Sequence, residues 1–182
     1  QLQLLAEAGF TISHVQALDG LDLQATVLRA PPRMSTRAAL RLARRLDPDG
    51  SYDYNHLYWR SAPTAPSATQ SPPPSGRTRP ATTSEDAALR VGLVDSGVDP
   101  DHPALASVRV QRWGCGGKHV ADAHGTAVAS LLAGNAVVGA RGGSTLFAAD
   151  VYCGRPASGA ASELAQALAW LARERVAVVN IS

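Results

Sequence analysis

Apolar and polar positions divide the chain into three stretches with different rhythms. In residues 1–60 apolar and charged residues mix as they would in a small folded unit. Residues 15–28 alternate loosely about Asp19-Gly20, a turn dipeptide, which predicts two strands joined as a hairpin. From Thr36 to Leu46 the apolar residues Ala39, Leu42, Ala43 and Leu46 recur at helical spacing, with Arg37, Arg41, Arg44 and Arg45 on the other faces. Ser35 is placed to cap that helix and Asp47-Pro48-Asp49-Gly50 to end it. Residues 52–59 read as an aromatic, extended segment. A unit of this size is marginal for an independent core.

The second stretch, residues 61–86, holds 6 of the chain's 12 prolines, Pro72-Pro73-Pro74 among them, with Ser, Thr and Ala between. It has no apolar period and cannot offset its chain entropy by burial, so it predicts an extended linker. The third stretch, residues 87–182, alternates short apolar runs with helical patterns. Strands are predicted at 88–94, 108–113, 145–152 and 176–181, and helices at 124–133 and 162–175. Ser162 is the expected N-cap of the second helix and Glu163 suits its first turn. Strand and helix in alternation imply parallel strands with crossover helices, an α/β layered domain.

Composition narrows the function classes. Apolar residues make up 45% and charged residues 18%, below the globular average of about 25%. A wholly disordered chain would show the opposite balance. No run approaches the roughly 18 apolar residues of a membrane span. The formal net charge is +2, with 10 Arg against 8 acids in residues 1–90 and 7 basic against 7 acidic groups in 91–182, so no basic stripe for nucleic acid is present. Two cysteines, Cys115 and Cys153, are too few for a disulfide framework or a zinc ribbon. The first residue is Gln1, and Ile181-Ser182 follows an apolar run with no cap or turn, so both ends are expected to be cut.

Candidate chemistry gathers where parallel sheets keep it, at the carboxyl ends of strands. Asp95 follows the first predicted strand of the third stretch, and His124 opens a helix and is followed by Gly125-Thr126. A carboxylate accepting a hydrogen bond from one ring nitrogen fixes the tautomer and leaves the other nitrogen free as a base. Taken singly, an Asp after a strand is most often a turn former, and a His at a helix start a cap. The surrounding text changes this. Val91-Gly92-Leu93-Val94-Asp95-Ser96-Gly97-Val98-Asp99, then His102-Pro103, then His124-Gly125-Thr126-Ala127-Val128-Ala129-Ser130 resembles the subtilisin-like serine proteases. Phe147 to Tyr152, Ala169-Trp170-Leu171-Ala172 and Val178-Val179-Asn180-Ile181-Ser182 are similar to later segments of that family, in the same order.

The resemblance implies the first half of a three-layer αβα peptidase domain, in which Asp95 and His124 are two members of an Asp-His-Ser triad. Residues 1–60 resemble the small α+β propeptide of such enzymes, which plugs the cleft of its own chain, and His56 then falls near the processing region. The family's Gly-Thr-Ser segment and oxyanion-hole Asn are not among these residues, so this stretch alone is expected to be inert. Asn180 is expected to be structural. His102 reads as a turn residue, as do Asp99 and Asp101, and His119 and Asp122 as loop residues.

By the same comparison, Ser158 and Gly159 fall where the family's extended edge pairs with a peptide or protein substrate by strand addition. Ser182 would begin one wall of the specificity pocket. Where several members have a calcium-ligating Asp, this chain has Ala104, and the loop 135–143 lacks carboxylates, so no metal or other cofactor is expected. In the implied fold the strands preceding Cys115 and Cys153 are parallel neighbours, which opens a disulfide between them. The alternative is two separate thiols. The resemblance favours an extracellular, periplasmic or cell-envelope setting. Two rival readings stay open: a non-catalytic relative or propeptide-type inhibitor that binds peptides or a protease, and a nucleotide-binding module, which would need a Gly-rich phosphate loop that Gly114-Cys115-Gly116-Gly117 does not supply.

Overall fold

A computed structural model of the protein describes residues 1–59, 90–134, 144–155 and 159–182. The proline-rich stretch 61–86, the loop 135–143 and Ser158 lie outside the described residues.

The N-terminal unit opens with a six-residue helix, α1 (Leu2–Glu7), and continues into an antiparallel hairpin, β1 (Thr11–Leu18) and β2 (Leu23–Arg29). The hairpin turns at 19–22 as its Asp-Gly predicts, but β1 begins four residues before the alternation does. α2 (Thr36–Leu46) matches its predicted span, and the Ser35 hydroxyl accepts the Ala38 N–H at 3.3 Å. Leu5, Phe10, Ala39 and Ala43 form a small buried core, with Leu28, Leu42 and Leu46 against it. The aromatic segment yields only a two-residue strand, β3 (Leu57–Tyr58).

The second unit is built on a four-stranded parallel sheet in the order β5-β6-β4-β8. Its strands are β4 (Arg90–Asp95), β5 (Arg109–Gly114), β6 (Thr145–Asp150) and β8 (Val178–Ile181). Apart from exposed Arg90, the residues of β4 and β6 are buried on both faces, as an internal parallel strand requires. Leu93, Leu146 and Ala148 pack with Ala129 and Ala133 of α3 (Ala123–Ala133). Their strand neighbours Val94, Phe147 and Ala149 pack with Ala167, Trp170 and Leu171 of α4 (Ala161–Arg173). Adjacent residues of a strand point to opposite faces, so the order is helix, sheet, helix. α3 carries the chain from β5 to β6 and α4 from β6 to β8, both advancing the same way along the sheet. Because they lie on opposite faces, one of these crossovers is left-handed, against the usual preference. That exception puts the start of α3 beside the end of β4.

Most strand and helix boundaries shift by one or two residues from expectation, and two of the shifts have a local cause. Strand β6 stops at Asp150 rather than at 152, because the Asp150 carboxylate turns the chain by accepting the N–H groups of Tyr152 (2.9 Å) and Cys153 (2.8 Å). The N-cap of α4 is Ala160, not Ser162, and it has no side chain with which to cap.

The N-terminal unit supplies the missing cap. His56 O accepts the Ala161 N–H at 2.8 Å, and Asn55 Oδ1 accepts the Ser162 N–H at 3.0 Å. Gln16, buried in β1, donates to Ser162 O at 3.0 Å and accepts from the Gln166 side-chain amide. Gly20 sits so close to α4 that a Cβ there would lie 2.0 Å from Ala169 O. β3 pairs antiparallel with β7 (Gly159–Ala160), Leu57 opposite Ala160 and Tyr58 opposite Gly159.

Candidate active site

Asp95 is the last residue of β4, with strands on both sides of it, and only 1% of its surface is exposed. Burying a carboxylate there is tolerable only if donors meet it. Its Oδ1 receives the Ser96 N–H at 2.6 Å and lies 3.2 Å from Ser96 Oγ and 2.8 Å from His124 Nδ1. Its Oδ2 has no hydrogen-bond partner among the described residues.

His124 stands in the first turn of α3, 26% exposed at its side chain. Each residue of His124-Gly125-Thr126 has a physical reason to be there. A carboxylate can only accept, so Nδ1 facing Asp95 carries a proton, and in the neutral ring Nε2 then presents the lone pair. Gly125 lets the helix meet the end of β4: a Cβ there would lie 2.3 Å from Ser96 O. The Thr126 hydroxyl donates to Asp122 O at 2.7 Å and accepts the Asp99 N–H at 3.0 Å, joining the helix to the loop after β4.

Asp122, read from sequence as a loop residue, is the N-cap of α3, its Oδ1 accepting the His124 N–H at 2.9 Å. The signal was available: an Asp two residues before a helical His is a cap pattern. Ser96 was likewise passed over. Its buried hydroxyl accepts the Gly125 N–H at 3.1 Å and lies 3.1 Å from Asp122 Oδ1.

The other candidates are dispersed. Gly159 is buried on β7, opposite Tyr58. The Ser182 N–H extends the β4–β8 ladder by donating to Val94 O at 3.0 Å, and its hydroxyl donates to Asn180 Oδ1 at 2.7 Å. His102 accepts the Ala104 N–H through Nδ1 and is exposed in its turn. Asp99 closes a local turn by accepting the Asp101 N–H at 3.0 Å. His56 packs edge-on against Tyr54.

Cys115 and Cys153 are joined as a disulfide with their Cα atoms 5.3 Å apart. Gly114 is in register with Asp150, so Cys115 leaves its strand at once while Cys153 returns through the Asp150 turn. Both cysteines hold positive φ, 53° and 54°, which only a fixed turn imposes on a residue with a Cβ. Asp150 lies close to both sulfurs, but the disulfide spends the two thiols and leaves one carboxylate, a poor metal set. Among the described residues, no helix is long and apolar enough to cross a membrane.

A buried carboxylate that holds one ring nitrogen of an imidazole leaves the other, Nε2, facing away from it, an arrangement able to accept a proton. A family model described as the subtilase family matches residues 86–182, more than half of the chain. No curated protein and no solved structure matches it.

Proposed function

Since the chain belongs to the subtilase family, we propose that it is the propeptide-like unit and first catalytic half of a serine endopeptidase. In this reading Asp95 orients His124, and His124 Nε2 takes the proton of a serine supplied by the remainder of the protein as that serine attacks the peptide carbonyl. His124 then returns the proton to the leaving amine. The observation that carries the reading is the 2.8 Å contact between His124 Nδ1 and the buried Asp95 Oδ1. The chemistry calls for no cofactor.

Substrate peptides add as a strand to Gly159–Ala160, and the chain's own Leu57–Tyr58 occupies that edge as a tethered inhibitor. The antiparallel β3–β7 pairing supports this. The disulfide supports an extracellular or periplasmic setting, where such bonds persist.

The test is the full-length protein with its N-terminal unit removed. It should hydrolyse casein and react with a fluorophosphonate probe, and His124→Ala should abolish both. A full-length protein that folds but neither cuts nor labels would make this a non-catalytic relative.

A further inference from the structure

We propose that Ser96 and Asp122 form a positioning device for His124, in which one hydroxyl proton is shared between two carboxylates. The inference rests on the reading of Asp95 and His124 as the acid–base pair and goes beyond it, since neither Ser96 nor Asp122 takes part in the proton transfer itself.

Among the described residues, every hydrogen bond made by the Asp95 carboxylate falls on a single oxygen, Oδ1. The orientation of His124 therefore depends on how strongly that oxygen is engaged elsewhere. One competitor, the Ser96 N–H, is fixed by the backbone. The other, the Ser96 hydroxyl, has a choice. Its oxygen accepts the Gly125 N–H, and its one proton can point to Asp95 Oδ1 at 3.2 Å or to Asp122 Oδ1 at 3.1 Å. Ser96 is buried, so water does not replace either bond freely.

Asp122 meanwhile holds the backbone N–H of His124 at 2.9 Å. Two carboxylates thus grip His124, one at its ring and one at its main chain, and a single hydroxyl ties them together. While the imidazole is neutral, the hydroxyl proton serves Asp95. When the ring gains its second proton, the ion pair takes over Oδ1 and the hydroxyl turns to Asp122. Only a hydrogen rotates; no heavy atom moves and no covalent bond changes. A site arranged this way needs little reorganisation during proton transfer.

The experiment is nitrogen-15 NMR of histidine-labelled protein, reading the His124 tautomer and the Nδ1–H resonance. Asp122→Asn keeps its Oδ1 on the His124 N–H and so keeps the cap, but its neutral amide oxygen draws the Ser96 hydroxyl proton less than a carboxylate does, which shifts that proton toward Asp95 Oδ1. The melting midpoint should hold while the Nδ1–H resonance moves upfield. Ser96→Ala should move it the opposite way, and Ser96→Thr should restore the parent position. In the full-length enzyme, kcat should fall roughly 10–100-fold in Ser96→Ala, with KM little changed. An unmoved resonance in Asp122→Asn overturns the proposal, and because this variant keeps its cap, misfolding does not mask the result. Displaced resonances in a full-length protein without peptidase activity would uphold the positioning device and overturn the peptidase reading instead.

Discussion

Asn55 Oδ1 accepts the backbone N–H of Ser162 at 3.0 Å across 107 residues of chain. It does for α4 what an N-cap residue does for its own helix. Asn55→Ala should therefore destabilise the protein by about 0.5–2 kcal/mol, the usual cost of a lost cap. Asn55→Asp keeps the acceptor and adds charge at the positive end of the helix, so it should hold or raise stability. Denaturant unfolding of the three proteins checks this. Equal midpoints for Asn55→Ala and the parent would mean that the bond contributes nothing.

On the proposed peptidase reading, Asp95→Asn should leave the fold intact and lower kcat of the full-length protein by about 10⁴-fold, with a small change in KM. An amide can donate to Nδ1, which stabilises the wrong tautomer and removes the free base. Steady-state peptide turnover measures it, and a loss below tenfold would take Asp95 out of the acid–base machinery.

Tyr52 carries a pH signature. Burial pushes its phenol up to about 12, with the hydrogen bond to Asp47 Oδ2 (2.7 Å) and the charge of that carboxylate adding to the shift. The folded value lies above the unfolded one of about 10, so the neutral phenol's contribution is complete below pH 10. It is lost as pH rises toward 12. Tyr52→Phe should flatten the fall in stability across that window. Tyrosinate absorbance should also lose a component that titrates near pH 12. A parent and variant with parallel alkaline limbs would contradict the assignment.

Replacing both Cys115 and Cys153 by Ser should cost about 2–4 kcal/mol, as expected for a closed loop of 38 residues. Denatured without reductant, the parent should titrate no free thiol. Two titratable thiols would mean that the bond does not form in the protein as made.

How far the sequence carried depended on whether a signal was local. α2 was readable because its period, the Ser35 cap and the Pro-Asp-Gly stop all lie within one segment. β4 and β6 were readable as runs because parallel internal strands bury both faces. The motifs around Asp95 and His124 pointed to the pair before any contact was known. By contrast, α1 has six residues and no side-chain cap, too little for a period to show. β3 and β7 are two residues each and exist only by virtue of each other, about a hundred residues apart. Ser162 looked like a cap because nothing local reveals that Asn55 and His56 satisfy the helix from outside. Asp122 was hidden by its brighter neighbour: the histidine drew the reading, and the cap that aims it did not.

The edge formed by Gly159 and Ala160 can hold one partner strand at a time, and Leu57–Tyr58 already holds it. While both belong to one molecule, the occupant sits at a local concentration that bulk dilution does not change. A cut between them converts this into an ordinary bimolecular equilibrium. From that moment dilution releases the edge and crowding closes it, so the number of molecules in a given volume becomes the quantity that sets how much of the edge is open.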